Sequence, residues 1–201
     1  SEDGKIHFWH VRLSIVDPDP RSTQPFQIDN GDYVIVFNGE IYNYRVLRKN
    51  LETKENVIFR TTSDTEVLIT LYKFYWKKCL EMIEGMFAFA IFDKKNNEVF
   101  IARDFAGQKP LVYSETPSGF YFASEIPALF ALSKDISREI DTDVMHLYLI
   151  ENFSHIPPML SFYPAIKKLS NSSYLLVKDG KVVEITRYAR LEKKELENPW
   201  E

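Results

Sequence analysis

The chain has 201 residues, 45% hydrophobic and 14% aromatic, with 25 basic against 29 acidic side chains and a net charge of −4. That balance excludes the basic footprint of a general nucleic-acid or anionic-membrane binder. The composition excludes both disorder and a small disulfide-stapled fold.

In chain order, Val11 to Val16 is an apolar stretch stopped by Asp17-Pro18-Asp19-Pro20, which predicts a strand and then a loop. Tyr33-Val34-Ile35-Val36-Phe37 predicts a strand buried on both faces and ending at Asn38-Gly39. With Asn43 as cap, Tyr44, Leu47 and Leu51 at helical spacing predict a helix from Tyr44 to Glu52. Ser63-Asp64-Thr65-Glu66 has the form of a capping box and opens a periodic run through Cys79 and Leu80 to Ile83, a helix that Gly85 should end. Met86 to Phe92 and Val99 to Ala102 predict a hairpin around 93–97, and Leu111 to Ser114 with Phe120 to Ala123 another around 116–119. Helical patterns follow at Pro127 to Leu132 and Thr142 to Ile150, then a hairpin of Tyr174 to Val177 and Val182 to Ile185 around Asp179-Gly180. Grouped helices between groups of antiparallel strands indicate an α+β fold.

Seven glycines argue against a flexible linker between two halves, so one domain is expected over residues 1–190, with 191–201 as a tail or linker. The single Cys79 has no internal disulfide partner, Ser1-Glu2-Asp3-Gly4 lacks the character of a signal peptide, and no apolar run approaches the ~20 residues of a membrane span. A cytoplasmic protein without membrane or nucleic-acid partners is the expectation. There is no Walker loop, GxGxxG or CxxC. His7, His10, His146 and His155 never fall at metal-ligand spacing, so no metal site is expected and His10 reads as a core or edge histidine.

Asn38-Gly39 has two readings: a two-residue hairpin turn, or an oxyanion hole made by the Asn38 amide and the Gly39 N–H. Glu40-Ile41-Tyr42 is too short to be a returning strand before the helix at Tyr44, which counts against the hairpin. Asp64 alone reads as an acid favoured by the helix dipole. Arg12, within an apolar strand, needs a carboxylate, either from the protein or from a ligand.

In order, Arg12-Leu13-Ser14-Ile15-Val16-Asp17, Gln24-Pro25, Phe37-Asn38-Gly39-Glu40-Ile41-Tyr42-Asn43, Ser63-Asp64-Thr65-Glu66, Gly85-Met86-Phe87-Ala88-Phe89-Ala90, Ala102-Arg103-Asp104, Lys109-Pro110-Leu111 and Phe122-Ala123-Ser124-Glu125-Ile126 resemble the glutaminase domain of glutamine-dependent asparagine synthetases. The resemblance runs from Arg12 to Tyr188. It implies an N-terminal-nucleophile fold, an αββα sandwich of two antiparallel sheets between helical layers. It also implies class II amidotransfer, in which a chain-terminal cysteine attacks the glutamine carboxamide and ammonia passes to a synthetase domain or subunit that activates aspartate. Arg12 is then implied to clamp the α-carboxylate of glutamine, Leu13, Ser14, Ile15 and Val16 to give backbone contacts, and Glu40 and Asp64 to receive the α-ammonium. Asn38 and Gly39 are implied to hold the oxyanion. No cofactor is expected in this domain; ATP and magnesium belong to the synthetase part, and the family's habit of pairing through this domain implies a homodimer.

Two departures stand out. The family's mature chain begins Cys-Gly, whereas this sequence opens at Ser1 shortly before Arg12, so the nucleophile is expected to be missing from it. Cys79, within a predicted helix and without a free α-amino group, is expected to be a core residue, and Ser1 to have no catalytic part. The second departure is Ser170-Asn171-Ser172-Ser173, where the family carries a Pro-Gly turn, together with Tyr188-Ala189 in place of an aromatic pair. The competing reading is a non-catalytic glutamine-binding or interaction module that kept the fold.

Overall fold

A computed structural model describes residues 6–11, 17, 19–150 and 161–190. The predicted strand at Val11 to Val16, except Val11 itself, and the predicted tail lie outside the described residues. The elements are β1 (Phe26–Ile28), β2 (Tyr33–Ile41), α1 (Tyr44–Lys54), α2 (Asp64–Tyr75), β3 (Gly85–Asp93), β4 (Glu98–Arg103), β5 (Val112–Thr116), β6 (Gly119–Ala123), α3 (Ile126–Leu132), α4 (Thr142–Ile150), β7 (Lys167–Lys168), β8 (Ser173–Lys178) and β9 (Lys181–Arg187). They form a six-stranded sheet, β1-β2-β3-β4-β8-β9, and a three-stranded sheet, β6-β5-β7, with every pairing antiparallel.

Side-chain alternation along the large sheet sorts its residues into two cores. Ile35 and Phe37, Phe87, Phe89 and Ile91, Phe100, and Tyr174 and Leu176 face Leu47, Leu51 and the apolar residues of α2. The alternate positions, Val36, Ala88, Ala90, Phe92, Val99, Ile101, Leu175 and Val177, meet Leu111 and Tyr113, with Phe120 and Phe122 against them. Both faces of the central strands are therefore buried, and the near-continuous apolar runs in the sequence follow from that. On the outer face of the small sheet Val112 packs with Leu129, Ile136 and Ile166. The layers thus run helix, sheet, sheet, helix.

Four sequence expectations change in physical detail. β2 does not stop at Asn38-Gly39 but stays paired with β3 as far as Ile41 opposite Gly85, because β3 continues alongside and supplies partners. Asn43 stands at the N-cap of α1 as expected, but its side chain makes no capping bond; its amide instead donates to Met82 O (2.9 Å) and accepts from Glu84 N–H (3.1 Å), tying the start of α1 to the entry of β3. The capping box is half formed. Ser63 Oγ accepts from Thr65 N–H (3.0 Å), but Glu66 turns instead to the N–H groups of Arg60 (3.0 Å) and Thr61 (2.7 Å).

The helix predicted to reach Ile83 ends at Tyr75. Trp76 adopts φ 49 and a 3-10 segment follows over Trp76–Glu81. Tertiary contact overrides periodicity here: Trp76 Nε1 donates to the buried Glu98 (3.2 Å), which also receives Tyr72 OH (3.3 Å) and pairs with Lys178 (3.1 Å). Gly85 accordingly stops no helix. A Cβ there would come within 2.1 Å of Glu40 O, so glycine is required by the close approach of β2 and β3.

Candidate functional site

Asn38, Gly39 and Glu40 follow one another in the last part of β2. The strand's alternation puts Asn38 and Glu40 on the face toward the small sheet, where Asn38 Nδ2 lies 3.5 Å from Ser124 Oγ just beyond β6. Gly39 has φ 150, and a Cβ on it would come within 2.1 Å of Met86 O and 2.8 Å of Phe87 Cα. No other residue fits there. The Asn-Gly pair is thus an in-strand feature and not a hairpin turn, as the short Glu40-Ile41-Tyr42 interval suggested.

N–H and C=O groups of an antiparallel strand alternate between its two edges. Phe37 directs both of its groups to the side chain of Gln24, beside β1, and Ile41 N–H donates to Asp64 Oδ2 (3.1 Å), again away from β3. Gly39 lies between them at the same parity, so its N–H points to that edge.

Asp64 is the first residue of α2 and is 5% exposed. Burial pushes its carboxyl above the usual range, the neighbouring Glu40 charge adds to this, and the N–H groups of Ile41 and Thr65 offset part of it. The Glu40 charge thus reaches Asp64, and a cation bound nearby would offset the cost of ionising Asp64.

Arg12, Leu13, Ser14, Ile15 and Val16 lie outside the described residues. The end of their motif is visible. Asp17 accepts from Thr62 N–H (2.7 Å), Ser22 Oγ (2.8 Å) and Asp19 N–H (3.1 Å); burial raises its pKa, but these hydrogen bonds prevail and hold it at about 2. The chain leaving the Arg12 motif is thereby fastened two residues before Asp64. Of the residues singled out in the sequence, Asn38, Gly39, Glu40 and Asp64 come together around the end of β2.

Cys79 is fully buried and its thiol is pushed up to about 12 by desolvation, so it supplies no thiolate. His10 is half-buried. Among the described residues no group of three or more His, Cys, Asp or Glu side chains is placed to hold a metal ion, and no helix is long and apolar enough to cross a membrane. Sequence reasoning assigned no role to Gln24 or Asp17, although both stand in the motifs that carry the resemblance. Only their side-chain bonds to Phe37 and Thr62 reveal what they do.

The family model described as a glutamine amidotransferase domain matches residues 1–189. The chain belongs to this family. It is 38% identical over 186 residues to asparagine synthetase [glutamine-hydrolyzing] 1 of Bacillus subtilis (strain 168), covering 90% of this chain and 28% of the relative. Asparagine synthetase [glutamine-hydrolyzing] 2 of the same organism is 45% identical over 129 residues, 64% of this chain and 17% of the relative. The chain therefore spans less than a third of the length of these two larger proteins. Among solved structures, glutamine phosphoribosylpyrophosphate amidotransferase from B. subtilis, complexed with ADP and GMP, superposes with a TM-score of 0.61 at 25% identity, covering 90% of this chain and 34% of that one. The structure titled as the allosteric regulatory enzyme of purine biosynthesis gives 0.60 at 23% identity over 84% of this chain and 32% of that one, which bears on the fold alone. The αββα layering is thus the N-terminal-nucleophile amidotransferase fold.

Proposed function

We propose that this domain hydrolyses glutamine to glutamate and ammonia, and that the ammonia serves ATP-dependent synthesis of asparagine from aspartate in a synthetase domain or subunit. In this reading a chain-terminal cysteine thiolate adds to the carboxamide carbon, and the thiol proton passes through the cysteine's own α-amino group to the departing ammonia. Water then adds to the thioester carbonyl, releasing glutamate and returning a proton to the thiolate. At each addition the carbonyl oxygen becomes an oxyanion, and Asn38 Nδ2 with Gly39 N–H receives it. Glu40 and Asp64 take the α-ammonium of the substrate, and Arg12 takes its α-carboxylate as a two-pronged clamp. ATP and magnesium have their place in the synthetase part.

The observation that carries this reading is the sequence of groups at the end of β2: an amide donor, a glycine N–H on the free edge, a carboxylate, and a second, buried carboxylate at the start of α2 that accepts from Ile41 N–H. A zwitterionic amino acid with a reacting carboxamide needs both kinds of group. In the natural full-length protein, Asn38→Ala is expected to lower the glutaminase kcat by about 10²–10³-fold with KM little changed, the cost of one oxyanion donor, while synthesis from added ammonia persists. An unchanged glutaminase kcat would overturn the assignment.

A further inference from the structure

We propose that Gln24 is a positioning residue for the oxyanion donors: its side-chain amide stands in for the peptide of a neighbouring strand and fixes the backbone of β2 immediately before Asn38 and Gly39. The inference deepens the proposed glutaminase reading and rests on it.

The β1–β2 register pairs Phe26 with Ile35, Gln27 with Val34 and Ile28 with Tyr33. Continued outward, it sets Gln24 opposite Phe37, but the ladder ends at Phe26. The side chain of Gln24 then makes both bonds that a paired residue would have made. Its Nε2 donates to Phe37 O (3.0 Å) and its Oε1 accepts from Phe37 N–H (2.5 Å). A primary amide carries donor and acceptor in one plane, as a peptide does. Gln24 is 7% exposed and Phe37 4%, so neither bond has water as a ready substitute.

The location gives this pairing its consequence. Along the free edge of β2 the groups read in order Phe37 N–H and C=O to Gln24, Gly39 N–H, then Ile41 N–H to Asp64. Two side chains thus bracket the one N–H proposed to receive the oxyanion, and the Phe37 carbonyl held by Gln24 belongs to the peptide that enters Asn38. A backbone strand could have bonded Phe37 equally well, but continuing it would carry main chain past Gly39 and occupy that edge. A side-chain amide ends the pairing at Phe37. Displacements of about 1 Å in catalytic groups can cost ~10² in rate, so a support fixing this peptide should register in the chemical step more than in substrate binding.

The test is a double-mutant cycle on glutaminase activity in the natural full-length protein, comparing parent, Gln24→Leu, Asn38→Ala and the double variant. Gln24→Glu serves as a second probe that keeps the shape and the acceptor for Phe37 N–H but loses the donor to Phe37 O. The expected result is a fall in kcat of about tenfold or more for Gln24→Leu with KM within threefold, a smaller fall for Gln24→Glu, and a clearly smaller further loss when Gln24→Leu is added to Asn38→Ala, because one of the two donors it supports is already removed. A parent-like kcat in both Gln24 variants, a rise in KM with kcat unchanged, or the same loss in both backgrounds would overturn the proposal. If Gln24→Leu does not fold, Gln24→Glu decides by the same criteria. The underlying reading fails separately. A parent-like kcat in Asn38→Ala removes the oxyanion assignment and this inference with it, whereas a damaged Asn38→Ala beside a parent-like Gln24→Leu removes the inference alone.

Discussion

At the scale of single residues, the carboxylate of Asp64 answers to the backbone and, in the proposed function, to a ligand as well. It accepts Ile41 N–H, fixing the end of β2, while burial raises its pKa above the ordinary value. A bound α-ammonium favours the ionised form. Affinity for glutamine is therefore expected to be complete well above the raised pKa and to fall as pH drops through it, starting at a higher pH than an unperturbed aspartate would give. The free folded protein responds in the opposite sense: a buried acid with a raised pKa costs stability when ionised, and that cost is relieved as pH falls through the raised value. Calorimetric titration of glutamine between pH 4 and 7 would reveal the first effect. Asp64→Asn should weaken binding at pH 7 by about 1.5–3 kcal/mol and flatten the acid limb; an unchanged affinity and slope would show that Asp64 serves the backbone only. The departure from the family at Ser170-Asn171-Ser172-Ser173 also resolves here. Ser172 adopts φ 52, a conformation glycine takes without strain, and three hydrogen bonds hold it there: its N–H to Asp104 O (2.9 Å), its Oγ to Phe105 O (2.9 Å) and its own carbonyl from Tyr188 N–H (2.8 Å). Tyr188, the other departure, closes the same corner by donating its OH to Arg103 O (2.9 Å).

At the scale of elements, the sequence was most legible where local pattern and tertiary demand agree. The hairpin of β8 and β9 turns at Asp179-Gly180, with φ 48 and 72, as a two-residue turn requires, and the alternation on β3 is plain once both its faces are seen to be covered. It was least legible where a distant side chain decides. Nothing near Trp76 announces that Glu98, on β4, will end α2, and nothing near Phe37 announces that Gln24 will complete its pairing. The candidate site followed the same rule: Asn38, Gly39, Glu40 and Asp64 were singled out through motif order, whereas the bonds made by Gln24 and Asp17 needed coordinates. Gly85 illustrates the difference between pattern and cause. If it merely ended a helix, Gly85→Ala would be close to neutral; because a Cβ would come within 2.1 Å of Glu40 O across the β2–β3 ladder, the strands must separate. The substitution is expected to cost about 1–3 kcal/mol, as overpacking does, readable as a lower urea midpoint. Since Gly85 faces Ile41, glutamine affinity should fall with it. A parent-like midpoint would mean that the two strand ends are not held together in this way.

At the scale of the whole molecule, the two faces of β3 differ in size of side chain. Phe87, Phe89 and Ile91 fill the space under α2, while Ala88 and Ala90 let the small sheet approach and leave its volume to Tyr113 and Phe120. This asymmetry brings Ser124, at the end of β6, within reach of Asn38, at the far part of β2. The site thus draws on both sheets and on the start of α2, which is why its residues lie on separate segments of the sequence. The most direct measurement of the central claim is a crystal structure of the natural full-length protein reacted with a glutamine analogue bearing an electrophilic γ-carbon. The account predicts the oxygen on that carbon within hydrogen-bonding distance of Asn38 Nδ2 and Gly39 N–H, and the α-ammonium between Glu40 and Asp64. An analogue bound with its ammonium away from Glu40 and Asp64, or with its oxygen facing neither Asn38 nor Gly39, would contradict it.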